Sequence, residues 1–181
     1  MILILLGLIL WSGSHFWKRA APDSRAAMGD KGKLVVAIAS VLAIVLMVIG
    51  YRGATGEVYW GKSPAMTGIN NLLVLFAFYL FAASGRGTRV TKAIRNPQLT
   101  AVAVWAVAHL LVNGDTPSFL LFGGLLVWAL AEIVVLNRAA GPRTAYHAPP
   151  IKSEIIAVVA TVVVFAVVSG IHAALGYNPF G

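Results

Sequence analysis

The sequence predicts an all-α integral membrane protein, a bundle of six transmembrane helices with both termini outside the cytoplasm. Composition is the first reason: 59% of the 181 residues are hydrophobic and 11% are charged, with a mean hydropathy of +0.85. A soluble domain of this size could not bury that much apolar surface, so lipid is the expected solvent. The second is a set of apolar runs at about 1–17, 34–51, 68–84, 97–113, 117–137 and 153–176, most of them long enough for a tilted membrane helix. The third is that the basic residues are confined to alternate loops.

The first run opens Met1-Ile2-Leu3-Ile4-Leu5-Leu6 without a basic leader, and its positive residues, Lys18 and Arg19, follow it. No small-residue cleavage site lies cleanly beyond, so this run is expected to be a retained span and not a removed signal peptide. The fourth run is at the short end for a crossing. Between it and the fifth, Asn113-Gly114-Asp115-Thr116-Pro117 closes one helix and opens the next, with Thr116 expected as N-cap and Pro117 at the first helical position. Gly141-Pro142 and Pro149-Pro150 bracket the loop before the last span. With such short connections the whole chain, 1–181, reads as a single transmembrane domain.

Loop charge sets the expected orientation. Lys18, Arg19, Arg25, Lys31 and Lys33 fall in the first loop, Arg86, Arg89, Lys92 and Arg95 in the third, and Arg138, Arg143 and Lys152 in the fifth. Those are 12 of the 14 Lys and Arg residues; the second loop has only Arg52 and Lys62, and the fourth has none. By the positive-inside rule the odd loops are cytoplasmic. Tyr51, Tyr59 and Trp60 are then expected at the outer interface. The net charge of +8 belongs to this topology and is no nucleic-acid footprint. Cysteine is absent, which excludes disulfides, thiolate-held metals and the C-x-x-C-H attachment of haem, and leaves nitrogen and oxygen as the ligands for any metal.

Three of the four histidines, His15, His109 and His172, sit inside apolar runs. An imidazole in hydrocarbon is costly unless it is paired, hydrated or bound, which makes these rings the leading site candidates. His109 shares a helix face with Gln98, Trp105 and Asn113, a polar stripe that should turn to the bundle interior. A cofactor-binding or catalytic role is preferred there over simple helix-to-helix bonding. His15 and His172 follow Ser12-Gly13-Ser14 and Ser169-Gly170-Ile171. Such small residues admit either a neighbouring backbone or a flat ring, and the pattern does not choose between them. His147 should be solvated in its loop. Glu132, an acid within a span, is expected to reach Arg138 or water as a structural ion pair. No nucleophile triad, phosphate loop or carboxylate pair appears, and Gly85-Arg86-Gly87 reads as a turn.

A first span ending in a histidine, Arg95-Asn96-Pro97-Gln98-Leu99, the stretch Trp105-Ala106-Val107-Ala108-His109-Leu110-Leu111-Val112-Asn113-Gly114-Asp115, and the terminal Gly170-Ile171-His172 together resemble the NnrU family. Its members are bacterial inner-membrane proteins named from denitrification gene clusters, and the plant zeta-carotene isomerase, a haem b membrane enzyme, is similar. The resemblance implies haem b with His109 and His15 at the positions of the isomerase's proposed ligands, His172 ranking below them. It also implies a part in nitrogen-oxide metabolism or a related redox or isomerase step, with denitrification enzymes as partners besides the lipid bilayer. Asn96 stands where many relatives carry histidine, so that position supplies no ligand here. Oligomeric state and substrate are left open.

Helical rise places His15 roughly 5 Å, His109 roughly 16 Å and His172 roughly 28 Å from the cytoplasmic interface, an awkward spread for two axial ligands of one iron. Two alternatives stand beside the haem reading. Arg95-Asn96-Pro97 with Glu132, Gly141 and Tyr146 also resembles membrane methyltransferases, which implies S-adenosylmethionine binding dependent on Arg95 and Glu132. The tyrosine usual near that proline and a doubled glutamate are missing. The other is a non-enzymatic factor assisting assembly of nitrite or nitric oxide reductase.

Overall fold

The structure is a computed structural model that describes residues 1–143 and 146–181. The elements in chain order are α1 (Ile2–Ala20), α2 (Pro22–Ala27), α3 (Gly29–Arg52), β1 (Val58–Trp60), α4 (Pro64–Arg86), α5 (Pro97–Val112), β2 (Gly114–Asp115), α6 (Thr116–Ala140) and α7 (Ile151–Ala174). The architecture is all-α apart from the small β1–β2 pair. Each of the six apolar runs is found as a helix, generally a few residues longer than the run itself. α4 starts at Pro64, ahead of its apolar run, and there the Ser63 hydroxyl accepts the Met66 N–H at 3.3 Å as a cap.

Four helices, α3, α4, α6 and α7, are long and apolar enough to cross a membrane. The other two fall short for different reasons. α1 has 19 residues but turns polar from Ser12 onward. α5 has 16 residues, about 24 Å at 1.5 Å per residue, less than the ~30 Å hydrocarbon layer.

One compact unit comprises residues 1–59 and 115–124. Within it α1 packs along α3. The seam is Ile4, Gly7 and Leu8 on α1 and Ala43, Met47 and Gly50 on α3, residues spaced by three and four so that they share a face. Gly7 is required by the close approach: a Cβ there would lie 2.5 Å from Met47 Cγ and 2.8 Å from the Ala43 carbonyl oxygen. α2, in the basic first loop, packs on α3. The start of α6 belongs to this unit, and Phe119–Gly123 form a π-helical turn that packs against α1. Tyr51 bonds to the fully buried Ser118 (Oη–Oγ 2.8 Å), and the Tyr59 ring lies 5.5 Å from that of Phe119.

The expected N-cap of α6 needs correction. Asp115, not Thr116, holds that position: its carboxylate accepts the Ser118 N–H at 2.8 Å. Thr116 is the first helical residue, and its own N–H donates to the Glu57 carbonyl at 3.0 Å. Asp115 is extended (φ −127°, ψ 161°), the conformation an N-cap needs, and its charged oxygen suits the positive end of the helix.

The other unit comprises residues 60–114 and 125–181. α4 is its centre, packed against both α5 and α7. Ala77, Leu80 and Ala101 form a buried core, with Tyr79, Val90, Ile94, Val104 and Trp105 around it. The residues of α5 that are buried are mostly alanines, Ala101, Ala103, Ala106 and Ala108; their short side chains let backbones come close, as membrane helices require in the absence of a hydrophobic drive between them. Phe78 meets Phe165 of α7 edge-to-face at 6.4 Å. The chain end folds back onto the start of α4, with Lys62 Nζ donating to Asn178 O (2.9 Å) and Asn71 Nδ2 to Pro179 O (3.0 Å).

Candidate functional site

A helix interior offers a histidine one acceptor above all, the carbonyl four residues back. His15, His109 and His172 all use it. His109 Nδ1 lies 2.9 Å from Trp105 O, His15 Nδ1 2.8 Å from Trp11 O, and His172 Nδ1 2.8 Å from Val168 O. A carbonyl only accepts, so Nδ1 carries the proton in each ring and Nε2 is the basic nitrogen of the neutral imidazole. That is the tautomer of an imidazole that ligates through Nε2, with the second nitrogen anchored to backbone.

His109 lies in the last turn of α5, half-buried, with its ring 4.6 Å from that of Trp105. Asn113 tightens the same turn: its side-chain and backbone N–H groups both donate to His109 O, at 2.9 and 3.0 Å. Trp105, His109 and Asn113 are therefore one bonded series down a single face. Gln98, two turns earlier, keeps to that face but is exposed at the start of the helix and takes no part in the series. Trp60 holds the same end of α5, its indole N–H donating to Leu110 O at 3.1 Å. Its ring covers Gly114, where any Cβ would collide with the indole.

His172 is exposed in the last turn of α7. Counting rise from the cytoplasmic ends set it about 12 Å beyond His109. In the structure each is near the C-terminus of its helix, α7 having 24 residues to the 16 of α5. His15, in the first unit, is half-buried with its ring 4.3 Å from that of Trp11, and Ser14 Oγ lies 3.3 Å from its Nδ1.

Among the described residues outside the adjoining turns of the same helix, no heavy atom lies within 4 Å of where a Cβ would stand on Gly13 or Gly170. His147 is exposed, as expected. Glu132 is 8% exposed, whereas Arg138 is exposed. Six residues at 3.6 per turn set the two about 240° apart round α6, on different faces. The sequence reading missed the π turn of α6, the Trp60 cover over Gly114, and a cleft at the basic end of the second unit.

No group of three or more His, Cys, Asp or Glu able to hold a metal ion occurs among the described residues. A haem iron asks less, since the macrocycle supplies four nitrogens and the protein one or two axial ligands, and imidazoles presenting Nε2 suit that demand. Comparison with known proteins gives one match: a family model described as NnrU protein covers residues 3–179. Curated proteins and solved structures yield no match.

Proposed function

The chain belongs to the NnrU family, and from that premise we propose that it is a six-span protein of the bacterial inner membrane, both termini outside the cytoplasm, holding haem b through His109. α1 and α5 complete the six spans in this reading, shortfalls in length being met by bilayer thinning and snorkelling of Lys18, Arg19 and Arg95. The observation that carries the haem assignment is the His109 ring, half-buried in an apolar helix with Nδ1–H committed to Trp105 O. That bond fixes the ring plane and raises the basicity of Nε2. Trp105 supplies a flat apolar wall beside it, and Asn113 holds the carbonyl of the same residue. His15 carries the same arrangement on α1 and is the next ligand candidate, followed by His172.

Haem b, when bound, would supply redox chemistry and an affinity for small molecules such as nitrogen oxides. The chain's contribution is to orient the imidazole and exclude water with apolar helices. The role that follows is support of nitrogen-oxide metabolism, or a related redox or isomerisation step, alongside denitrification enzymes, whether by chemistry or by assisting their assembly. A second reading, a methyltransferase, draws on one contact: Arg95 Nη1 donates to Gly141 O at 2.7 Å. Against it, Glu132 does not line the cleft where Arg95 lies. A reduced-minus-oxidised absorption spectrum of detergent-purified protein tests the proposal. Soret and α bands of b-type haem are expected; protein made with ample haem and lacking a Soret band refutes it.

A further inference from the structure

At the end of α5 remote from His109, a cleft of about 560 Å³ is lined by Arg95, Asn96, Thr100, Ile133, Asn137 and Arg143, with Ala93 and Ile94. Two guanidinium groups face it and no carboxylate does. Their anchoring is by backbone: Arg95 Nη1 donates to Gly141 O (2.7 Å), and Arg143 donates through Nη1 to Lys92 O and through Nη2 to Ala93 O (3.1 Å). Carbonyls position a guanidinium without neutralising it, and each has five N–H donors, so most remain available to an anion. Glu132, which precedes the lining residue Ile133, is buried and does not line the cleft, and Glu154 is engaged elsewhere. Its oxygens accept from Tyr79 Oη (3.0 Å) and the Arg89 backbone N–H (2.5 Å). The ion pair Lys33–Asp30 does not involve either arginine.

The cleft floor adds to the positive field. Asn96 occupies the N-cap of α5 but does not cap it; its amide donates instead to Asn137 Oδ1 at 2.8 Å. The first-turn N–H groups of α5 consequently keep their partial charge beside the arginines. Ile94 and Ile133 give the same cleft an apolar wall, which a free inorganic anion has no use for and a lipid does. We propose that this cleft binds the phosphate of an anionic phospholipid, Arg95 and Arg143 gripping the phosphate while Ile94 and Ile133 meet the glycerol and upper acyl chain. Fixed, bidentate-capable guanidinium groups suit phosphate geometry, and an anionic leaflet supplies the ligand at high local concentration.

The test uses the full-length protein in detergent, titrated with fluorescently labelled phosphatidylglycerol and competed by phosphatidylcholine or by sodium phosphate. Saturable binding that phosphatidylcholine does not displace is expected. Arg95→Gln and Arg143→Gln should each weaken it by about fivefold or more, the effect of roughly 1 kcal/mol per basic residue. Arg138→Gln, an exposed cation outside the cleft, should leave it unchanged. Because the arginines also hold backbone, Ile133→Glu provides a variant that leaves their bonds in place; a carboxylate on the wall should weaken binding at least as much. Displacement by millimolar phosphate alone would support the phosphate site and make a free anion its source. Absence of saturable binding, or equal losses in Arg138→Gln and the cleft variants, overturns the proposal.

Discussion

Replacing Gly7 with alanine sets helix propensity against packing, and the structure says which wins. Alanine in place of glycine favours an isolated helix by about 1 kcal/mol. At Gly7, however, the added methyl carbon would lie 2.5 Å from Met47 Cγ and 2.8 Å from Ala43 O. Met47 can swing aside, but the Ala43 carbonyl is α3 backbone, so α1 and α3 must part by roughly 0.7 Å to restore ordinary contact near 3.5 Å. Overpacking of that kind costs about 1–3 kcal/mol, and the opened seam around Ile4 and Leu8 loses contacts besides. The net expectation is destabilisation by about 1–2 kcal/mol after the propensity gain is deducted. Gly68→Ala on α4 is the control, since no heavy atom lies within 4 Å of its Cβ position; there propensity acts alone and stability should hold or rise. Reversible unfolding in mixed detergent micelles, followed by far-ultraviolet circular dichroism, measures both. If Gly7→Ala is as stable as Gly68→Ala, the α1–α3 seam is not packed as described.

Two further expectations concern the caps and the orientation. Asp115→Ala should cost about 1 kcal/mol of unfolding free energy, the usual loss for an N-cap side chain, and Thr116→Val should cost less; the reverse order in the same unfolding assay would restore Thr116 as the cap. An alkaline phosphatase fusion after Gly181 should be active and one near Arg89 inactive; the opposite pattern would invert the proposed topology.

The six helices were legible because length and apolarity are local properties, and each run became one. What was not legible depends on partners far along the chain. Asp115 and Thr116 are both good N-cap residues, and the choice turned on Glu57, 59 positions from Thr116, taking the threonine N–H and hydroxyl. Glu132 was expected to reach Arg138 or water because Arg138 is near in sequence; the turn of α6 sets Glu132 and Arg138 on different faces. The cleft required Asn96 to meet Asn137, 41 residues away, and no motif announces that. The histidines lie between these cases. Their positions and the i−4 carbonyl were readable from sequence, whereas the Trp60 cover at the end of α5 beside His109 depended on a residue about fifty positions away.

The haem assignment rests on His109, and the most direct measurement is the reduced-minus-oxidised spectrum of His109→Ala beside the wild type and His147→Ala. Neutral imidazole is the axial ligand this chain can offer, no cysteine being present to replace it. The wild type and His147→Ala should show the same b-type bands. His109→Ala, inserted in the membrane at normal abundance, should lose them or shift them strongly. An unchanged spectrum in His109→Ala would contradict the account and return that ring to a packing role.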